Sequence, residues 1–287
     1  MPHRKDPSLR DNQDLINETP WEMRIPAFRV FGNLYFVGNK DGASWILDTP
    51  EGPILFDSNY PTTDALLIHS MWSLGFNPER LIAIIHTHGH YDHIGATDLL
   101  KSLSGAPTYL GAADTEMFSD RPELSYLDHV KNAYIELFDA DVAVRDGDVF
   151  TIGGIQIRAV STPGHCPGAT SWFFPVTDGK RTFTAGLHGG AGFNTLVKAY
   201  REQYGVDWRE DFFRSIEKLT DEKVDIFLGN HTAQNHTEEK AARLRTGQAD
   251  AFVDPSEWQR FLEGLKTGLE KMIAAEEREQ SGSSREA

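Results

Sequence analysis

The sequence predicts one domain in which β-strands and α-helices alternate, arranged as two strand-and-helix halves. Apolar runs of strand length are separated by turns rich in glycine, asparagine and proline. Amphipathic helical segments lie between these runs, and side chains that bind metals follow several of them. Because no low-complexity linker lies inside the chain, we assign residues 21–277 to a single domain, 1–20 to a polar leader and 278–287 to a disordered tail.

The first half contains five predicted strands and two predicted helices. Apolar runs bounded by turn residues predict strands at 28–31, 34–37, 43–48 and 54–57. The continuous apolar run at 81–85 is typical of a strand that is buried on both faces. Helices are predicted at 64–74, from the apolar face of that segment, and from His93 or Gly95 to Leu103.

The second half repeats this arrangement. An alternating pattern at 147–160 with a turn at Gly153-Gly154 predicts a hairpin. Strands are predicted at 182–185 and 224–228, with an amphipathic helix at 208–219 between them. Asp254-Pro255-Ser256-Glu257 combines a capping residue, a first-turn proline and an acid, which predicts the start of a last helix.

Composition limits the classes of function. The 287 residues carry a formal net charge of −15, which argues against a nucleic-acid partner because phosphate backbones are repelled. Cys166 is the only cysteine, so an intramolecular disulfide is excluded and a thiolate-bound zinc is disfavoured. The sequence has no apolar run of 18 residues and predicts no membrane partner. The polar start lacks the apolar core of a signal peptide and predicts a cytoplasmic protein as written, or a periplasmic or secreted one if a signal peptide has been removed.

Residues 86–93 read His-Thr-His-Gly-His-Tyr-Asp-His and are the most informative segment. In an extended loop, alternate residues point to the same side, so His88, His90 and Asp92 share one side and His93 reaches a neighbouring point. One short loop can therefore present ligands to two metal ions a few ångströms apart. Two-metal sites of this kind activate water for hydrolysis.

The chain resembles the metallo-β-lactamase-fold hydrolases. The resemblance is carried by the His-x-His-x-Asp-His loop, by Thr162-Pro163-Gly164-His165 after a Gly-Gly hairpin, and by a final strand followed by His231. It implies an α+β fold, the αββα four-layer sandwich, with two mixed β-sheets packed face to face and flanked by helices. It also implies two zinc ions, the first held by His88, His90 and His165, and the second by Asp92, His93 and His231.

Two residue types that related enzymes carry and this sequence lacks narrow the resemblance to one subclass. Most hydrolases of this fold carry an aspartate that bridges both metals after the strand that follows the Thr-Pro-Gly-His loop, and two lactamase subclasses carry a cysteine there. Residues 184–190 contain neither. The chain is therefore most similar to the third subclass of metallo-β-lactamases. It differs from that subclass in having His188 near the position of a usual serine and in lacking an evident export signal.

This resemblance implies a zinc-dependent hydrolase in which a metal-bound hydroxide opens the amide of a small-molecule β-lactam, the activity that underlies resistance to these antibiotics. Asp92 is predicted to orient the attacking water and to pass its proton onward. One alternative is hydrolysis of another acyl, lactone or ester substrate on the same fold. A more remote alternative is an iron-dependent oxidoreductase of that fold. The sequence leaves the oligomeric state open.

Several other residues have two interpretations. His188 is predicted to act in catalysis, by orienting the metal-bound water or contacting substrate, or else to fill its loop. Tyr91, Phe193 and Asn194 are predicted to contact substrate, although Tyr91 alternatively packs beneath the loop. His86 either supports the site or caps its strand, and Cys166 is expected to be a buried small side chain. His129 is expected at the surface.

Overall fold

The structure, a computed structural model, describes residues 11–283. Its twelve strands are β1 Phe28–Phe31, β2 Leu34–Phe36, β3 Trp45–Leu47, β4 Ile54–Phe56, β5 Ala83–Ile85, β6 Thr108–Gly111, β7 Val142–Val144, β8 Val149–Ile152, β9 Ile155–Ser161, β10 Thr170–Thr177, β11 Thr182–Leu187 and β12 Ile226–Leu228. The α-helices in this part of the chain are α1 Asn12–Glu18, α2 Asp64–Ser73, α3 Tyr91–Ile94, α4 Thr97–Ser104, α5 Ala112–Asp120, α6 Lys198–Tyr204, α7 Arg209–Leu219, α8 Thr237–Arg245 and α9 Glu257–Ser283. Short 3-10 turns connect some of them.

The strands form two mixed sheets. The first sheet has seven strands in the order β1-β2-β3-β4-β5-β6-β7, antiparallel up to β4 and parallel from β4 to β7. The second has five strands in the order β12-β11-β10-β9-β8, with only the β11–β12 pair parallel. Strand β5 lies between two parallel neighbours and is buried on both faces, as its continuous apolar run predicts.

The two sheets pack face to face over a large apolar core. Phe56 of the first sheet stacks on Phe174 of the second, with ring centroids 4.6 Å apart, and Trp45 and Trp172 are fully buried in the same cluster. Helices α2 and α4 cover the outer face of the first sheet, and α7 and α9 cover the second. The predicted αββα sandwich is therefore confirmed, and the carboxyl ends of β5, β9 and β12 lead into the segments that carry the candidate ligands.

The limits of the domain differ from the predicted ones. Helix α1 begins at Asn12 and buries Ile16, so part of the predicted leader belongs to the folded domain. Helix α9 continues to Ser283, which places 278–283 in a helix rather than in the predicted disordered tail. The reason is that glutamate, arginine and glutamine favour helix once a packed segment has started it. Residues 1–10 and 284–287 lie outside the described part.

None of the helices in the described part of the chain combines the length and the apolar character that crossing a bilayer requires.

Candidate metal centre

The six predicted ligands come from three separate segments, and the structure brings them together. Strand β5 ends at Ile85 and its loop carries His88 and His90 before α3 begins, with Asp92 and His93 inside that short helix. His165 lies in the loop between β9 and β10, and His231 follows β12. These segments meet at one end of the two sheets.

The first predicted set is His88, His90 and His165. One potential ligand atom of each lies within 4.8 Å of the others, and all three residues are buried. His90 Nδ1 and His165 Nε2 are 3.1 Å apart. Metal–nitrogen distances of about 2.0–2.1 Å in a tetrahedral site place ligand atoms roughly 3.3 Å apart, so these two atoms have a spacing that one zinc ion accepts.

The second predicted set surrounds the Asp92 carboxylate. Asp92 Oδ2 lies 3.3 Å from His93 Nε2 and also 3.3 Å from His231 Nε2. His88, Asp92 and His93 form a further group with ligand atoms within 4.8 Å of one another. The two sets are therefore adjacent, as a dinuclear centre requires.

Asp57 orients one histidine of each set. Its carboxylate Oδ2 accepts from His93 Nδ1 at 2.9 Å and from the Thr87 hydroxyl at 2.8 Å. Because that hydroxyl donates to Asp57, it accepts from His88 Nδ1 at 3.0 Å. Asp57 is buried at the end of β4 and has a left-handed φ of 55°, which aspartate tolerates better than most residues.

Separate partners orient the histidines contributed by the other two segments. His165 Nδ1 donates to the Gly192 carbonyl at 2.8 Å, which leaves its Nε2 as the acceptor nitrogen. His231 Nδ1 lies 3.5 Å from Asp41 Oδ2, and the Tyr60 hydroxyl donates to the same oxygen. In metal-binding histidines of proteins, the ring nitrogen that does not bind the metal is usually held in this way by a carboxylate or a carbonyl.

Whether a metal ion fits can be judged from the ring nitrogens that these partners leave free. Among the described residues, Nε2 of His88 and Nε2 of His93, the ring nitrogens opposite those held by Thr87 and Asp57, are buried and have no hydrogen-bond partner. A buried polar atom without a partner is costly, about 1–3 kcal/mol, and calls for an explanation. Five imidazoles and a carboxylate are a donor set that zinc accepts. The residues present therefore fit two zinc ions.

The two sets differ in charge in the metal-free protein. Burial lowers the pKa of His165 to about 4 and holds the pKa values of His88 and His90 well below the usual value. Burial also lowers the pKa of His231, but hydrogen bonds to Asp41 and Asp92 outweigh it and raise the value to about 10. The first set is thus neutral imidazole at neutral pH, the form that binds a metal.

A cavity of about 460 Å³ lies above these residues. It is lined by Gln13, Tyr60, His90, Tyr91, Asp92, Tyr126, His129, His165, Ala191, Gly192, Asn194, Asn230, His231, Gln234, Phe261 and Leu265. Four of the six predicted ligands thus reach its surface. Its volume is within the range typical of small-molecule sites.

The predicted substrate contacts meet different outcomes. Tyr91 and Asn194 line the cavity, and Asn194 Nδ2 donates to the Tyr126 hydroxyl at 3.0 Å. Phe193 packs instead against Phe212 in the core, with ring centroids 5.7 Å apart. Phe193 is half-buried against these apolar side chains and outside the cavity lining, and its contact with substrate stays a prediction.

Some cavity residues were missed by sequence reasoning. Gln13 belongs to the predicted leader, yet its Oε1 accepts from the Tyr91 hydroxyl at 2.9 Å. His129 is exposed, as expected, but it also lines the cavity beside Tyr126, with ring centroids 4.9 Å apart. Tyr126 has a left-handed φ of 58°. A tyrosine in a polar stretch carries no local signal of this conformation, so only tertiary contacts reveal it.

His188 and His86 have supporting positions. His188 is buried beside Phe261 and outside the cavity lining, and its Nδ1 accepts from the Gly190 N–H at 3.1 Å. The structure therefore argues against the predicted catalytic role of His188. His86 is fully buried, and its ring lies 3.2 Å from the His93 carbonyl and from the Thr97 hydroxyl, so it supports the ligand helix α3.

Replacement of His188 by alanine is expected to lower stability more than catalysis. The lost ring leaves a void beside Phe261 and Trp258 and leaves the Gly190 N–H without its partner, at a cost of about 2–4 kcal/mol in the free energy of unfolding. We expect the melting temperature to fall while kcat/KM changes less than about threefold. A loss of kcat of a hundredfold or more in the folded variant would restore the catalytic interpretation.

Comparisons with known proteins place the chain in a family. The family model described as the metallo-beta-lactamase superfamily matches residues 37–179, about half of the chain. BJP-1, a subclass B3 metallo-beta-lactamase of Bradyrhizobium japonicum, has a similar structure, with a TM-score of 0.79 and 25% identity over 91% of this chain and 98% of that one. The resemblance to the third subclass is thereby confirmed.

Curated relatives are similar over shorter regions. The probable metallo-hydrolase YqgX of Bacillus subtilis (strain 168) is 27% identical over 121 residues, 42% of this chain and 57% of its own length. The N-acyl homoserine lactonase of Bacillus cereus is 26% identical over 150 residues, 44% of this chain and 55% of its own length. The chain thus spans little more than half the length of these two relatives. The family match, the fold and the order of the ligand segments show that the chain belongs to the metallo-beta-lactamase superfamily.

Proposed function

We propose that this protein is a zinc-dependent hydrolase that holds two zinc ions and opens the amide of a β-lactam ring. The observation that carries the proposal is the convergence of five imidazoles and the Asp92 carboxylate at the floor of a cavity, with the outer nitrogens of His88, His93, His165 and His231 engaged. Such an arrangement is preorganised for metal ions rather than for packing. The likeness to a subclass B3 enzyme supports the same substrate.

The protein side of the mechanism follows from the arrangement around Asp92. Bound zinc would supply Lewis acidity, which polarises a carbonyl and lowers the pKa of water to about 7. Burial alone would raise the pKa of Asp92, but the adjacent His93 and His231 imidazoles, each 3.3 Å from its Oδ2, outweigh that effect and hold the pKa well below its usual value. Asp92 therefore remains a carboxylate at neutral pH, able to accept a hydrogen bond from the attacking water and to orient it.

The walls of the cavity act on the substrate rather than on the reacting bond. Phenol groups of Tyr60, Tyr91 and Tyr126 lie on the wall, with amide groups of Asn194 and Gln234 among them. The Tyr126 hydroxyl and the second amide hydrogens of Asn194 and Gln234 can donate to carbonyl and carboxylate oxygens of a bound substrate. The hydroxyls of Tyr60 and Tyr91 already donate to Asp41 and Gln13, so toward a substrate they can only accept. Leu265 and Phe261 add an apolar surface for a substituent of the ring.

A second candidate is hydrolysis of a neutral acyl ester or lactone. It is favoured by one observation: within residues 11–283, no lysine or arginine lines the cavity. A neutral substrate needs no such partner, whereas a β-lactam carboxylate would rely on the metal ions and on neutral donors. Similarity to a lactonase supports this alternative.

The test is hydrolysis of a chromogenic cephalosporin by the zinc-loaded protein, with a chelator-treated sample as its control. We expect chelator-sensitive turnover with kcat/KM above about 10⁴ M⁻¹s⁻¹. The same preparations are assayed with a neutral lactone and a p-nitrophenyl ester, and metal content is measured in each. Two bound zinc ions with turnover of only the neutral substrates would contradict the β-lactam proposal and support the second candidate.

A further inference from the structure

A buried carboxylate that the proposed mechanism does not use lies behind the metal centre. Asp114, on α5, is fully buried. Its Oδ2 accepts from the Gly89 N–H at 2.7 Å, and its Oδ1 accepts from the Gly168 N–H at 2.6 Å and from the Cys166 thiol at 3.0 Å. None of the side-chain contacts of Asp114 in the described structure is with a lysine or arginine.

These three donors belong to the two loops that carry the first metal set. Gly89 lies between His88 and His90, and Cys166 follows His165. One carboxylate therefore joins the two loops through hydrogen bonds to both of its oxygens. A charged acceptor makes such bonds stronger than neutral ones.

Close packing of the two loops against helix α5 supports this connection. A Cβ atom on Gly168 would lie 2.3 Å from the Asp114 backbone nitrogen, and one on Gly89 would lie 2.6 Å from the ring of Phe118, on the same helix α5. Both loops thus approach α5 at distances that only glycine allows. The loops also share a backbone hydrogen bond, from the Thr170 N–H to the Thr87 carbonyl at 2.8 Å.

The distance between the two loops that Asp114 joins sets the spacing of two ligands of the first metal ion. His90 Nδ1 and His165 Nε2 come from the two joined loops and are 3.1 Å apart. A displacement of about 1 Å at a functional site is enough to weaken it strongly. The second set does not depend on the His165 loop, since His93 and His231 are held by Asp57 and Asp41.

We propose that Asp114 is a positioning residue that holds the His88/His90 loop and the His165 loop at the spacing required by the first metal ion. The inference rests on the proposed dinuclear centre. It assigns to Asp114 an effect on the first metal site that is separate from its contribution to folding.

The test is zinc affinity and cobalt(II) absorption of the Asp114→Asn variant. The amide keeps the size of the side chain, but its NH₂ group faces an N–H donor of one loop, so that loop is no longer held. We expect the first zinc to bind about 10–100-fold more weakly, as is typical when a partner of a metal ligand is lost. The second affinity should change less than about threefold. Competition with a chromophoric chelator measures both affinities, and a His165→Ala variant identifies the cobalt bands of the first site.

Asp141→Asn is the matched control for a merely structural role. Asp141 also accepts hydrogen bonds through its carboxylate, from the Thr108 N–H at 2.9 Å and Lys101 Nζ at 2.7 Å, but it touches neither ligand loop. We expect this variant to lose thermal stability while retaining both zinc affinities. Equal first-zinc affinity in Asp114→Asn and wild type, with only the melting temperature lowered, would overturn the inference.

Cys166→Ala keeps the inference testable if Asp114→Asn does not fold. It removes only the thiol donor, and we expect a smaller loss of first-zinc affinity, about two- to fivefold, with unchanged second-zinc affinity. No change in that variant would also count against the inference. A wild-type protein that fails to bind two zinc ions would contradict the proposed function itself, which separates the two failures.

Discussion

Replacement of Asp92 by asparagine is expected to lower kcat by about 10²–10⁴-fold without unfolding the protein. Asp92 lies 3.3 Å from both His93 Nε2 and His231 Nε2, so the amide removes the negative charge of the second metal set. It also removes the carboxylate that would orient water and pass on its proton. Steady-state kinetics with the zinc-loaded variant measures the effect, and circular dichroism checks the fold.

Asp98→Asn is the matched control for this variant. Asp98 is an exposed residue on α4, six positions further along the chain, and lies outside the metal cavity. We expect its kcat and KM to stay within a factor of about two of wild type. Near-wild-type turnover in Asp92→Asn would contradict the proposed mechanism, whereas equal losses in both variants would point to a general effect on the fold.

Removal of the metal ions is expected to abolish turnover and to lower thermal stability. Each zinc that binds only the folded state adds about 4 kcal/mol at a free concentration of a thousand times its dissociation constant. For a chain of this size, such a loss lowers the melting temperature by roughly 10 °C. Differential scanning calorimetry of chelated and zinc-restored samples measures the change.

Two histidine variants show whether the change arises at the proposed site. His165→Ala removes a ligand of the first set and should lose part of the zinc-dependent shift. His69→Ala removes an exposed histidine of α2 and should retain all of it. The proposal would be contradicted if restored zinc left the melting temperature of the wild type unchanged, or if both variants behaved alike.

Much of the fold was predictable because its elements have local signals. The continuous apolar run of β5 predicted a strand buried on both faces, and the structure places it between two parallel neighbours. The Gly153-Gly154 hairpin and the helix at 209–219 also followed from period and turn chemistry. The limits of α1 and α9 were not predictable, because packing of Ile16 and the extension of a formed helix decide them.

The candidate ligands were predictable because their side chains are unusual at that spacing. The partners that hold them were not. Asp57 is separated by 36 residues from His93 in sequence, and Asp41 is separated by 190 from His231, so no local pattern relates them. An aspartate after a strand or in a turn looks the same whether it faces water or a histidine.

By itself, the sequence determined the strands of the described fold other than β6, β7 and β10, four of its helices, the family resemblance and the six candidate ligands. The tertiary structure alone decided that Gln13 and His129 line the cavity, that Phe193 and His188 do not, and that Asp114 joins two ligand loops. The physical reason is the range of the interactions. Period, turn chemistry and ligand spacing act over a few residues, whereas burial and hydrogen bonding across the chain depend on how the two sheets and their helices pack.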